Sequence, residues 1–201
     1  SPDKGINALN AASLAMMAIN SQRETFKDED YIRVHPIITK GGDMVNIVPA
    51  DVRMESYVRG RTIDAIKDAN DKVNRAITGS AYAIGATAKI DDVPGYLPFS
   101  QNVPMSDLFA ENAKTLFGDD CEIITGGLGG ASSDVGDVAS IMPTIQPAIG
   151  GFSGGFHSQN LTVCDKNLAY LAPAKIMAMT VIDLLFDGAK LGKEIKAVSH
   201  S

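Results

Sequence analysis

Residues 31–42 read Tyr31-Ile32-Arg33-Val34-His35-Pro36-Ile37-Ile38-Thr39-Lys40-Gly41-Gly42, and their alternation decides the fold of the first half of the chain. β-Branched residues are frequent from Tyr31 to Ile38 and a glycine pair follows, which predicts a strand running into a turn. Period two puts Ile32, Val34 and Ile38 on one face and Arg33 and His35 on the other, so His35 is expected outside the core. Two further runs, Met44 to Pro49 and Asp51 to Arg59, are expected as strands beyond the turn. The same alternation sets Asn46 opposite Val45 and Ile47, and Arg59 opposite Val52, Met54 and Val58. Three neighbouring strands would then offer an imidazole, an amide and a guanidinium on one polar face. That set suits an amide carbonyl next to a carboxylate, because Arg grips a carboxylate bidentately and His or Asn donates to a carbonyl oxygen. The spacing alone also fits an ordinary solvated face.

Helical spacing flanks these strands. Ile6, Leu9, Met16, Met17 and Ile19 predict a helix over residues 5–22, and Ile63, Ile66, Ala69, Val73 and Ile77 predict a second. Ala81 to Ile90 is expected to return to strand. The order helix, three strands, helix, strand describes a small α+β sandwich of ferredoxin-like type with one sheet face covered. Pro94-Gly95-Tyr96-Leu97-Pro98 then breaks the pattern and marks a domain crossing, giving domains at 1–97 and 98–201. Beyond it a helix is expected from Met105 to Phe117, short strands at Glu122 to Thr125 and Leu161 to Cys164, and a long helix from about Lys166 to Phe186 in which Pro173 either sits in the first turns or makes a kink. The fold class is α/β, with a second half that reads as part of an α/β layer too poor in strands to be complete.

Composition limits the function classes. The chain has 201 residues, 45% of them hydrophobic, and a formal net charge of -6, enough apolar material for a core and no basic footprint for nucleic acid. No uninterrupted apolar run reaches the roughly 18 residues of a membrane span, so a membrane partner is not expected. Two cysteines without CxxC spacing read as reduced, packed thiols, in keeping with a cytoplasmic protein. The start at Ser-Pro-Asp, close before a helix, is expected of a piece of a longer polypeptide.

Several motifs carry chemistry. Gly151-Phe152-Ser153-Gly154-Gly155 matches G-x-S-x-G, but no helical pattern follows the serine as a nucleophile elbow requires. The stretch Gly129-Gly130-Ala131-Ser132-Ser133-Asp134-Val135-Gly136-Asp137-Val138 is glycine-rich yet lacks the Gly-Lys-Ser/Thr of a phosphate loop. His157, in a glycine-rich segment, reads as a metal ligand, a catalytic base or a surface histidine. With three histidines in all and no clustered ligand spacing, the sequence holds no complete zinc site.

Taken together, the text Gly5-Ile6-Asn7-Ala8-Leu9-Asn10-Ala11-Ala12, Arg33-Val34-His35-Pro36-Ile37-Ile38 with Gly41-Gly42, Asn46-Ile47-Val48-Pro49 and Met54-Glu55-Ser56-Tyr57-Val58-Arg59 resembles the dinuclear-zinc aminoacylases and carboxypeptidases of metallopeptidase clan MH. The nearest branch is that of p-aminobenzoyl-glutamate and indoleacetyl-amino-acid hydrolases. Gly95-Tyr96-Leu97-Pro98 resembles the exit from that family's lid, and Ser132 to Val138 resembles the aminobenzoyl-glutamate type of loop. The indoleacetyl branch usually carries Glu-Asp-Phe there, which points away from auxin-like substrates.

The resemblance implies a dimerising α+β lid joined to part of a catalytic α/β domain that carries two divalent ions, zinc or manganese, in the intact enzyme. By the same likeness His35 reaches across a homodimer to polarise the scissile carbonyl, Asn46 and Arg59 hold the substrate, Arg59 takes its carboxylate, Ser132 and Ser133 line the site, and His157 is the last metal-ligand histidine. The other ligands and the general-base glutamate precede the lid in that family, so this chain alone is expected to bind no metal and to be inactive. Its substrate would be an N-acyl amino acid, aminobenzoyl-glutamate or a dipeptide-like amide. The alternative is a non-catalytic dimerisation or binding module.

Overall fold

The computed structural model describes residues 1–118, 121–124 and 132–198. They combine helices with small antiparallel sheets, an α/β fold, and divide into a unit spanning Ser1–Pro98 and a second comprising Phe99 onward and the chain from Ser133.

In the first unit, α1 (Ala8–Gln22) starts at Asn7, whose side-chain oxygen accepts from the backbone N–H groups of Leu9 (2.9 Å) and Asn10 (3.1 Å). Its buried residues Ala11, Ala15 and Ile19 repeat every fourth position. Helix α2 (Ile63–Ile84) is capped in the same way by Thr62 and buries Ala65, Ala69, Val73, Ala76 and Ser80. Small side chains on both helices let them approach closely, and their apolar stripes enclose Ile32 and Val34 to form the core.

Four short strands build the polar face: β1 (Arg33–Val34), β2 (Ile37–Lys40), β3 (Arg53–Glu55) and β4 (Val58–Arg59). β1 pairs antiparallel with β4 and β2 with β3, and both ladders keep one register until a bulge between Ile38 and Lys40. They are one hairpin interrupted at Pro36, which has no N–H to give the ladder. Ile32 and Val34 are buried and Arg33 and His35 exposed, as the alternation requires, but Ile38, on the same parity as Val34, is 36% exposed.

Two expectations here are corrected. Met44 to Pro49 is no strand: Asp43 to Ile47 bends and turns, with Ile47 N–H donating to the Met44 carbonyl, and Val45 and Ile47 are exposed. The hydrophobic letters there belong to a long hairpin connection that Pro49 cannot join to a ladder. Ala81 to Ile90 is no strand either. Ala81 to Ile84 finish α2, Gly85 (φ 78°) stops it in the left-handed conformation, and residues 86–98 have no regular structure. Asp92 ties this tail back, accepting from the side-chain amides of Asn70 (2.9 Å) and Asn74 (2.7 Å).

In the second unit, α3 (Val103–Phe117) begins at Asn102, whose side chain accepts from the Met105 N–H (3.1 Å). It packs on α5 (Ala172–Val198) through Asn112, which donates to Asp183 (2.8 Å) and Thr180 (3.3 Å). A π-helical turn, Asn167–Leu171, leads into α5, and Pro173 sits in the first turn as expected. The long helix breaks at Phe186–Ala189, where Asp187, Gly188 and Ala189 are left-handed. By length and composition alone, Asn167–Val198 is long and apolar enough to cross a membrane. Glu122 to Ile124 form no strand, since a strand needs a ladder partner and none lies among the described residues; Thr125 is outside them. A short helix α4 (Val135–Ala139) and a hairpin of β5 (Phe152–Ser153) with β6 (Thr162–Val163) complete the unit.

Candidate functional site

The hairpin of the first unit brings chemistry together. Arg33 lies directly opposite Arg59, and the His35 N–H donates to the Tyr57 carbonyl at 3.1 Å in the same register. Directly opposed residues share a face, and so do residues two apart on one strand. Arg33, His35, Tyr57 and Arg59 therefore occupy one face, while Val34 and Val58 turn to the core. His35 and Arg59 are diagonal neighbours, a separation of roughly 7–8 Å for such positions.

The Arg59 guanidinium rests over the Tyr57 ring, 5.4 Å from its centroid, which restricts the arginine's rotamers. Neither Arg33 nor Arg59 has an ion-pair partner among the described residues. The far end of the hairpin is neutralised instead. There Asp51 meets Lys40 and Arg53, both at 3.1 Å, and hydrogen bonds first from Arg53 and then from Lys40 hold its carboxyl below the ordinary value.

Asn46 is not on this face. It lies exposed in the connection between β2 and β3, bordering a cleft of about 860 Å³ with Asn7, Gly42 and Pro49. The length of β3 and β4 sets it about 20 Å or more from Arg59 at the usual strand rise. The polar face thus has two strands, not three, because the Met44 to Pro49 run is a turn.

In the second unit Ser133 precedes α4 and its carbonyl accepts from the Gly136 N–H at 3.0 Å, and Ser132 beside it is exposed. Gly129, Gly130 and Ala131 of that loop lie outside the described residues. Ser153 ends β5 and the chain passes through Gly154 (φ 88°) into a turn, so no strand-to-helix elbow forms at Ser153. His157 is exposed in that turn with a left-handed backbone, φ 61°. No group of three or more His, Cys, Asp or Glu that could hold a metal occurs among the described residues, so the side chains present do not fit a dinuclear centre.

Sequence reasoning put Arg33 on the His35 face without giving it a task, and it missed Tyr57. The signal for both was present: each is two residues from a residue already singled out.

No family model matches the sequence. It is similar to an Xaa-Arg dipeptidase of Mus musculus, 30% identical over 199 residues that cover 94% of this chain and 45% of that protein. An Xaa-Arg dipeptidase of Homo sapiens is 28% identical over 194 residues, 92% of this chain and 44% of that protein. These matches support a metallopeptidase or amidohydrolase family. The chain spans under half the length of the curated relatives it matches.

Proposed function

We propose that the chain supplies the substrate-holding part of a metal-dependent amidohydrolase that cleaves an amide bond next to a free carboxylate. The observation that carries this is the shared face of His35 and Arg59, with Arg59 oriented by Tyr57 and free of ion pairs among the described residues. Arg59 grips the carboxylate through two parallel N–H donors. His35 donates to the carbonyl oxygen one amide bond away and stabilises the negative charge that develops there. Residues 1–97 act as lid and dimerisation domain, 98–201 as the C-terminal part of the catalytic domain, and the face that holds His35, with Arg59 beside it, serves the site of a partner subunit. Ser132 and Ser133 line the pocket, Asn46 contributes from the hairpin connection, and His157 is one ligand of a metal pair whose remaining ligands are not among the described residues. Suitable substrates are N-acyl amino acids, aminobenzoyl-glutamate or dipeptides; the relatives are named for dipeptides ending in Arg.

The test is binding. N-Acetylalanine titrated into the labelled chain should shift the amides of residues 33–35 and 57–59, and its methyl ester should not. Arg59→Lys should lose most of that difference, because an ammonium cannot reproduce the planar fork. Equal binding of acid and ester to the unaltered chain refutes the carboxylate role. Turnover of N-acetyl amino acids by this chain after zinc or manganese loading, above a His157→Ala control, refutes the division of catalytic groups. Light scattering on the chain checks the lid dimer, which a strict monomer at high concentration overturns.

A further inference from the structure

We propose that Asp187-Gly188, in the break of α5, is a site of covalent self-modification at which the aspartyl linkage converts to an isoaspartyl one through a cyclic imide. The Gly188 nitrogen attacks Cγ of Asp187, one water leaves, and a five-membered succinimide forms. Water then adds back at either imide carbonyl. Opening at Cγ restores aspartate. Opening at the main-chain carbonyl leaves the chain running through Cβ and Cγ, one atom longer, with a free α-carboxylate and the original mass. Water is the only reagent.

The observations converge on this pair. The sequence holds one Asp-Gly and no Asn-Gly, and a glycine puts no side chain in the way of its own nitrogen. Ring closure needs rotation about the Asp187 Cα–C bond, which a helix forbids because hydrogen bonds lock each turn. Here the chain has left that state: Phe186 is extended (ψ 151°), and Asp187 (φ 50°, ψ 51°), Gly188 (φ 67°, ψ 28°) and Ala189 (φ 61°, ψ 39°) are left-handed. Asp187 and Ala189 hold this conformation without being glycine, so rotation away from it releases strain. The carboxyl is also unengaged. Asp187 is exposed and has no hydrogen bond or ion pair among the described residues, and a Cβ added at Gly188 would meet nothing within 4 Å. Asp183 is the opposite case: it precedes Leu184 within the regular helix, and its Oδ2 accepts from the Asn112 amide at 2.8 Å.

The modification has a packing consequence. The left-handed residues fold the end of α5 back, so that a Cβ added at Gly192 would lie 2.9 Å from the Leu184 carbonyl oxygen, whereas a straight helix would separate the two residues by about 12 Å. One extra chain atom between Leu184 and Gly192 displaces that close approach, and with it Ile195, which is buried beyond the turn.

The experiment holds the folded chain at neutral pH in water enriched in heavy oxygen and samples it over weeks. Trypsin, cutting after Lys175 and Lys190, releases residues 176–190 with both aspartates in one peptide. Fragment masses should show heavy oxygen entering at Asp187 and not at Asp183, and in ordinary water a second chromatographic form of unchanged mass should accumulate. Label at neither position, or equally at both, overturns the proposal. The folded chain should react as fast as the chain in urea, because the break gives no protection; a rate more than about tenfold lower when folded would show the bond shielded, and overturns it as well. Asp187→Glu keeps the charge but would have to close a six-membered ring, so it should lose the label with the amide spectrum otherwise unchanged. Label persisting at residue 187 in that variant would rule out the succinimide.

Discussion

Gly151 is a position where one methyl group tests the packing around the His157 hairpin. Its φ is 96°, and a Cβ added there would lie 2.7 Å from both the Ala169 nitrogen and the Asp165 carbonyl oxygen. Those two atoms are themselves joined by the 2.9 Å hydrogen bond that begins the π-helical turn. The Gly151 carbonyl also accepts from the N–H groups of Cys164 (2.9 Å) and Asp165 (3.1 Å), so the backbone cannot move aside without loosening further bonds. A non-glycine residue in such a conformation costs on the order of 1–3 kcal/mol, and each disturbed hydrogen bond adds about 0.5–1.5 kcal/mol. Gly151→Ala is therefore expected to cost roughly 3–5 kcal/mol, among the larger effects of single substitutions. Amide exchange at Cys164 and Asp165 reads the damage locally, and urea denaturation followed by circular dichroism reads it globally. The matched control is Gly79→Ala in α2, where the new methyl meets nothing within 4 Å and helix propensity should add about 0.5–1 kcal/mol of stability. A loss below about 1 kcal/mol for Gly151→Ala would refute the backbone-clash reasoning.

Ile19→Ala removes a side chain with 0% exposure from between the helices and the hairpin, and should cost about 2–5 kcal/mol in denaturation; a change under 1 kcal/mol would place the core elsewhere. Tyr57→Ala takes away the ring under Arg59 and should weaken N-acetylalanine binding about twofold to fivefold, the effect of an exposed cation–π contact, while leaving the methyl ester unaffected. The Asp51 carboxyl should titrate below its ordinary 3.8 by carboxyl NMR and move up in Arg53→Gln, and an unchanged midpoint would disprove the pairing. Because that pKa is depressed on folding, the stabilisation it brings is present above the unfolded value and is lost as pH falls through the folded one.

The helices were legible because caps and stripes coincide: Asn7 and Thr62 accept from the first-turn amides, and alanines recur at helical spacing. The inner hairpin was legible for the same reason, since Val34 and Val58 alternate cleanly with Arg33 and Arg59. The outer segments were not. Val45, Ile47, Ile123 and Ile124 are apolar letters on exposed backbone, and strand formation depends on a ladder partner that a local pattern cannot specify. Ala81 to Ile84 alternate like a strand, yet the helical stripe from Ala65 onward carries the chain through them to Gly85. Of the site, the face of His35 and Arg59 could be read from parity, whereas the place of Asn46 in the hairpin connection, off that face, depends on a turn that the alternation did not show.

The single register shared by the two ladders also predicts how this lineage can tolerate changes in length. Insertions or deletions within residues 41–52 fall in the hairpin connection, whose closure entropy varies slowly with length, and leave the parity of every strand residue intact. One residue added between Ser56 and Val58 has the opposite result: it would turn Arg59 toward the helices and Val58 toward solvent, exchanging a binding face for a core face in one step. Natural length variation should therefore collect between Gly41 and Val52 and be nearly absent from Arg53 to Arg59, except where a second bulge like that beside Lys40 absorbs the extra residue.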